Sequence, residues 1–190
     1  KFIKFKGDIT KKNDIKKWLK KNPIDIIIHL AAIVPTNVVK KKIYYANKVN
    51  YIGTKLLVDE IIQYQNIKWF FYSSTSHVYK FSKKKISENG LIKPISKYGL
   101  TKLKGENYIR KKLKKKIPFC IGRIFSFTSI HQKKNYVIPA IINKARSNKK
   151  EIFFNNTNHM RDFLCVSDIC EAIQILLNKK STGIYNIGSG

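Results

Sequence analysis

The sequence predicts an α/β fold: a doubly wound parallel sheet with helices on both faces. Two observations predict it. Short apolar runs alternate with longer stretches whose apolar residues recur at helical spacing. No internal repeat or low-complexity linker interrupts that alternation. Right-handed crossovers between parallel strands then wind helices onto both faces.

The elements follow in order. Phe2-Ile3 and Phe5 read as a first strand ending at Gly7-Asp8. Asp14 to Lys21 reads as a helix carrying Ile15, Trp18 and Leu19, stopped by Pro23. Asp25 to Leu30 is a β-branched run, read as a strand buried on both faces. Val49 to Tyr64 places Ile52, Leu56, Leu57, Val58, Ile61 and Ile62 at helical spacing. Lys68 to Tyr72 is an aromatic-rich strand, and Tyr98 to Leu113 a helix. Pro118 introduces a strand from Phe119 to Ile124. Ile138 to Ala145 reads as helix, Phe163 to Val166 as a short strand, and Phe153-Phe154 as core. Asp168 to Asn178 reads as a helix whose Asp168 and Glu171 suggest a capping box. Ile184 to Ile187 is the last strand.

Composition narrows the function. The chain has 190 residues, 43% hydrophobic and 12% aromatic, enough for one full domain or most of a larger one. Lys+Arg 39 against Asp+Glu 11 gives a net charge of +28. Only Arg110, Arg123, Arg146 and Arg161 are arginines, and lysine is spread over the whole length. A dedicated reader of nucleic acid recruits Arg for bidentate and stacking contacts. The excess therefore reads first as compositional bias, which argues against nucleic acid. An anionic small substrate would still benefit from the field. Cys120, Cys165 and Cys170 are an odd count without metal-ligand spacing, and the four histidines form no zinc pattern. A reduced, cytoplasmic chain without a metal is expected. No apolar run reaches the roughly 18–20 residues of a membrane span. The start, Lys1-Phe2-Ile3-Lys4, has neither a leader pattern nor an initiator Met, so a piece of a longer chain is expected.

In doubly wound sheets ligands sit beyond the carboxyl ends of the strands. Asp8, Ala31-Ala32-Ile33, the run Ser73 to Tyr79, and Ser126 onward all occupy such positions. Downstream, Tyr98 and Lys102 lie one helical turn apart and face the same way. A free phenol titrates near 10 and is a poor base at neutrality; a nearby ammonium would lower that value. Such a tyrosine can exchange the proton that accompanies hydride transfer at an alcohol or ketone, with a hydroxyl such as Thr75 holding the same oxygen. The spacing alone is common here, as Tyr44/Lys48, Tyr51/Lys55 and Tyr108/Lys112 show. The context sets Tyr98/Lys102 apart: an upstream Ser/Thr cluster, the approach Pro94-Ile95-Ser96, and Gly99. His29 reads as a core histidine, and His77 as a candidate second acid/base.

Seven stretches in order resemble the extended short-chain dehydrogenase/reductases of the nucleotide-sugar epimerase/dehydratase family. They are Gly7-Asp8, His29 to Ala32, Asn50 to Thr54, Ser73 to Tyr79, Pro94 to Lys102 with Glu106, Arg161 to Leu164 with Asp168, and Tyr185 to Gly190. The resemblance implies a Rossmann-like cofactor-binding portion over residues 1–124 and a substrate-binding portion over 125–190. It implies NAD or NADP as cofactor, contacted by Asp8, Ala31, Ala32, Asn50, Tyr98 and Lys102. It makes Thr75, Tyr98 and Lys102 catalytic, with Tyr98 as acid/base. It gives Thr75, Ser126 and Arg161 to a nucleotide-diphosphate sugar substrate, Arg161 to its diphosphate. It also implies a homodimer through the helices at Val49–Tyr64 and Tyr98–Leu113.

The departures from the family pattern matter as well. No Gly-x-Gly-x-x-Gly loop occurs among the nine glycines, so the fold is expected to be N-terminally incomplete. Ser126 stands where the family usually has Asn, and Lys80 where it has Gly. The 4,6-dehydratases of the family carry Asp-Glu where this chain has Ser76-His77, which points to epimerisation or ketone reduction instead. The segment Arg123 to Gln132, followed by Val137-Ile138-Pro139, is similar to reductases of GDP-4-keto-6-deoxyhexoses. The alternative is a non-catalytic or truncated module of the same fold, binding nucleic acid through its basic surface.

Overall fold

The structure is a computed structural model that describes residues 4–21, 23–34, 42–64, 66–147, 151–153 and 161–190. Four parallel strands form the main sheet: β1 (Ile26–His29), β2 (Trp69–Thr75), β3 (Phe119–Ile124) and β6 (Gly183–Ile187), side by side in that order. A second, two-stranded parallel sheet joins β4 (Ser126–Thr128) to β5 (Phe163–Cys165). The helices are α1 (Lys12–Lys21), α2 (Ile43–Asn47), α3 (Thr54–Tyr64), α4 (Lys97–Leu113), α5 (Val137–Ala145) and α6 (Val166–Asn178). A π-helical segment, Lys48–Gly53, joins α2 to α3.

Strand alternation sorts the core into two layers. Ile27, Phe70, Tyr72 and Ile121 face α1, α3 and α4, meeting Ile15, Leu19, Leu57, Val58, Ile61, Ile109 and Leu113. Trp69, Phe71, Cys120 and Ile187 face the other way, onto Ile169 of α6 and its partly buried neighbours Ile173 and Leu176. Helices on both faces and crossovers between parallel neighbours make the doubly wound fold that the alternation of patterns predicts.

Several elements differ from their sequence reading. Residues 4–8 form no strand, and Phe2 and Ile3 lie outside the described residues. Strand β1 is not buried on both faces: Ile26 and Ile28 remain 39% and 41% exposed. The second apolar layer stops short of them, and β1 is an edge of the main sheet among the described residues. Strand β2 runs on through Ser73, Ser74 and Thr75, because these pair with Gly122, Arg123 and Ile124. The helix expected from Val49 begins earlier, at Ile43, and carries the π-segment. The α6 cap is Cys165, not Asp168. Asp168 is the third helical residue, and its carboxylate accepts the Cys165 N–H at 3.2 Å. Phe153 is 77% exposed rather than core, and Phe154 lies outside the described residues. Ser126–Thr128 form β4, an element with no counterpart in the sequence reading.

Candidate active site

The carboxyl end of β2 and the start of α4 build the site. Thr75 ends β2 in an extended conformation and caps the 3₁₀ turn Ser76–Val78; its hydroxyl accepts the His77 N–H at 3.3 Å. Ser96 caps α4, its hydroxyl accepting the Gly99 N–H at 3.0 Å. The α4 terminus lies against the 3₁₀ turn. The Ile95 N–H donates to the His77 carbonyl at 3.1 Å, and a Cβ at Gly99 would collide with that carbonyl. Only glycine permits this approach, and it puts Tyr98, one residue earlier, beside Thr75.

Tyr98 is 8% exposed, and Thr75 lies near enough to act on its phenol. Burial pushes the phenol up to about 12; Tyr136, just before α5, pushes the same way, and the Thr75 hydroxyl pulls it down. The sequence reading expects the Lys102 ammonium to lower this phenol. In the structure burial wins, and Lys102 faces elsewhere. Its Nζ sits over the Tyr72 ring, 4.1 Å from the centroid, and burial pulls its titration down to about 7 against the raising effect of Glu106.

Asn50 is fully buried in the π-segment. Its Oδ1 accepts the Ile33 N–H at 2.7 Å; its Nδ2 donates to the Ile33 carbonyl and to Thr101 Oγ1, each at 3.1 Å. Thr101 in turn donates to the Tyr98 carbonyl at 2.8 Å. The Asn50 amide is thus spent on bracing. It ties the segment after Ala31-Ala32 to the helix that carries Tyr98, and so positions the site. His29 is a core histidine: Thr54 spends its hydroxyl proton on the Asn50 carbonyl at 2.8 Å, so His29 Nε2 donates to Thr54 Oγ1 at 2.8 Å. Burial holds the His29 ring down to about 3, so it is neutral.

The remaining expected site residues lie farther out. Ala31 is exposed and Ala32 half-buried, just past β1. Asp8 closes its own turn, with Oδ1 accepting the N–H and hydroxyl of Thr10, both at 2.9 Å. Those two bonds hold its carboxyl below the usual range. Ser126 opens β4, half-buried, opposite Phe163. Arg161 is exposed, yet its charge reaches His77, whose ring is held below its ordinary value first by burial and then by Arg161. The structure therefore gathers Thr75, Tyr98, Lys102 and Asn50. Among the described residues, no hydrogen bond or ion pair links Asp8 or Ser126 to them.

A buried charge network beside this cluster escaped the sequence reading. Arg123 of β3 and Glu106 of α4 are 2% and 0% exposed. Arg123 Nη2 meets Glu106 Oε2 at 2.7 Å, and its Nε donates to both carboxylate oxygens, at 3.1 and 3.3 Å. Ser74 donates to the same carboxylate. Arg123 Nη1 donates to the Tyr79 hydroxyl at 2.8 Å, which donates to Asn186 Oδ1 at 2.7 Å. The signal was an arginine inside the apolar run Phe119–Ile124 and a lone carboxylate one turn past Lys102.

A parallel α/β sheet with threonine, tyrosine and lysine gathered past its strand ends defines a Rossmann-like protein of the short-chain dehydrogenase/reductase class. Residues 3–188 match the NAD dependent epimerase/dehydratase family, and the chain belongs to it. It is 29% identical over 97% of its length to dTDP-D-glucose 4,6-dehydratase of Dictyostelium discoideum, covering 46% of that protein. It is 29% identical over 90% of its length to GDP-6-deoxy-D-talose 4-dehydrogenase of Aggregatibacter actinomycetemcomitans, covering 58% of that protein. The solved structure of MoeE5 in complex with UDP-glucose and NAD superposes with a TM-score of 0.82 at 25% identity, over 98% of this chain and 62% of that one. The chain thus spans about half the length of the first curated relatives it matches.

Proposed function

We propose that the chain forms the catalytic part of an NAD(P)-dependent nucleotide-sugar epimerase or 4-keto-6-deoxyhexose reductase, with Tyr98 as the acid/base. One observation carries this reading. A buried phenol lies beside the Thr75 hydroxyl at the carboxyl edge of a parallel sheet, with a buried lysine one turn along the same helix.

The residues present fit a nicotinamide dinucleotide over part of its length. Lys102 Nζ has a ring beneath it and no hydrogen-bond acceptor among the described residues, leaving its protons for a ribose hydroxyl. Asp8 keeps Oδ2 as an acceptor toward the adenosine end, and Ala31-Ala32 offer a strip without bulky side chains. When bound, the nicotinamide supplies hydride exchange with a sugar carbon.

The chain's own residues supply the rest. Thr75 and Tyr98 together hold one sugar oxygen, Thr75 as a hydrogen-bond partner and Tyr98 as the proton carrier. At about 12 the phenol is a protonated donor, poised to give its proton to a ketone oxygen during reduction. In the opposite direction it must first shed that proton, and the Thr75 hydroxyl beside it lowers the cost of doing so. Asn50, through Thr101, keeps α4 in register. Arg161 and Ser126 complete the substrate side over 125–190, the diphosphate falling to the guanidinium. Ser76 and His77 carry no carboxylate for water elimination, which favours epimerisation or reduction.

The same reading places the protein in the cytoplasm and pairs two copies through α3 and α4. No helix of the described residues is long and apolar enough to cross a membrane. The α3–α4 face holds a cleft of about 560 Å³ lined by Lys55, Asp59, Tyr108, Lys112 and Lys116. Lysine would then face lysine across the pair, so association should tighten as salt screens the charge.

The test is turnover. Purified protein is offered nucleotide-diphosphate hexoses and their 4-ketones with NAD(H) or NADP(H), and products are resolved by chromatography. Epimer or reduced sugar is expected. Tight, steeply salt-dependent binding of polynucleotide with no sugar turnover would instead favour the non-catalytic module.

A further inference from the structure

His77 is bound into the site at four points, yet the proposed chemistry gives it no task. Its N–H donates to Thr75 Oγ1 at 3.3 Å. Its carbonyl receives the Ile95 N–H at 3.1 Å. Its Nδ1 lies 3.0 Å from the Ser96 hydroxyl that caps α4. Its ring meets the Tyr98 ring edge-on, with centroids 5.9 Å apart and planes at 76°. We propose that His77 is a positioning residue for the Thr75–Tyr98 pair: its main chain orients the threonine hydroxyl, its Nδ1 fixes the start of α4, and its ring shields the phenol from water.

Each part follows from donor and acceptor roles. Thr75 Oγ1 already accepts from His77, so its single proton is free for the oxygen it shares with Tyr98. Ser96 Oγ already accepts the Gly99 N–H, so its own proton is free for His77 Nδ1. That arrangement asks for a neutral ring with its proton on Nε2. Burial and the charge of Arg161 both hold His77 neutral. The edge of the imidazole covers a phenol whose position near 12 is owed first to burial. Removing the ring wets the phenol; replacing it with another flat ring does not.

The inference rests on the proposed function only in taking Tyr98 as the proton carrier, and its test does not need turnover. Tyrosine is labelled with ¹³C in the ring, the Tyr98 signal is assigned by its loss in Tyr98→Phe, and its chemical shift is titrated by NMR. The charged and titratable groups around the pair are Tyr136, Arg161 and Lys102, and all are retained. His77→Ala should lower the Tyr98 midpoint by about one pH unit or more. His77→Phe keeps the ring wall and should hold the midpoint within about 0.3 unit. His77→Asn offers a short amide to Ser96 without the ring, and should shift the midpoint as His77→Ala does. In the active protein, His77→Ala should lower kcat about 10-fold or more with KM for the cofactor little changed. An unmoved Tyr98 midpoint in folded His77→Ala overturns the proposal, as does an equal drop in His77→Phe. If His77→Ala fails to fold, His77→Asn against His77→Phe makes the same decision. Absence of wild-type turnover with the midpoints moving as stated would count against the enzymatic reading alone.

Discussion

Replacing Glu106 by Gln should be among the most damaging single changes in the main sheet. The substitution keeps shape and volume and removes one charge. Arg123 would then be a guanidinium at 2% exposure, having lost an ion pair at 2.7 Å and the carboxylate at the other end of its Nε bonds. What remains is one amide oxygen of the new side chain, the Tyr79 hydroxyl at 2.8 Å and the Glu88 carbonyl at 3.2 Å, all neutral. Breaking a buried pair from one side costs about 3–5 kcal/mol, because the other charge stays buried and uncompensated. The exposed pair Lys68–Asp25, at 3.4 Å with side chains 68% and 55% exposed, is the internal control. Asp25→Asn there should cost no more than about 0.5 kcal/mol. Urea unfolding followed by circular dichroism measures both. Glu106→Leu combined with Arg123→Leu should recover much of the loss, since the pair then leaves no orphan charge. A Glu106→Gln cost within about 1 kcal/mol of the Asp25→Asn control would refute the reasoning, because it would mean that water reaches Arg123.

Three further outcomes follow from the same geometry. A Cβ at Gly105 would run into the Tyr72 hydroxyl, so Gly105→Ala should destabilise by about 1–3 kcal/mol. Adding Tyr72→Phe, which deletes that hydroxyl but leaves the ring carbon 2.9 Å from the new Cβ, should restore part of it in thermal melts. Lys102 titrates at about 7 when folded and at 10.5 in the ordinary case, so the unfolded chain binds the extra proton between those values. Its contribution therefore makes stability rise with pH across that window, and Lys102→Met should flatten the rise in urea midpoints measured from pH 7 to 10. Thr75→Val keeps the shape of the β2 terminus and removes the hydroxyl that pulls the phenol down, so Tyr98 should titrate higher still and kcat should fall about 10-fold or more.

The parts of the fold legible in the sequence were those whose burial is written in side-chain type. Strand β3 was read to the residue, because Pro118 marks its start and Phe119 to Ile124 are mostly apolar. The end of β2 was missed, because Ser73-Ser74-Thr75 look like a loop; their strand character comes from ladder partners on β3, more than forty positions away. The exposure of Ile26 and Ile28 could not be read locally, since a β-branched run looks the same at an edge as in the centre. The π-segment and the short β4–β5 sheet also depend on tertiary partners. At the site, the motif order picked out Thr75, Tyr98 and Lys102, and in the structure Thr75 acts on the buried Tyr98 phenol. The Lys102 ammonium was misjudged because spacing along a helix does not tell which neighbour a flexible side chain settles on, here the Tyr72 ring. The Arg123–Glu106 pair stayed hidden because its partners sit on different layers, strand and helix, with nothing local to join them.

Tyr98 is proposed to carry the proton of a sugar oxygen while hydride moves at the carbon that bears it. Single-turnover stopped flow tests it most directly, with the reduced nicotinamide chromophore followed after wild-type protein or Tyr98→Phe is mixed with cofactor and a nucleotide-diphosphate sugar. The expected result is a wild-type transient and a rate lower by about 10²–10⁴ in a variant that still melts as a folded protein. A transient of wild-type rate in folded Tyr98→Phe would contradict it.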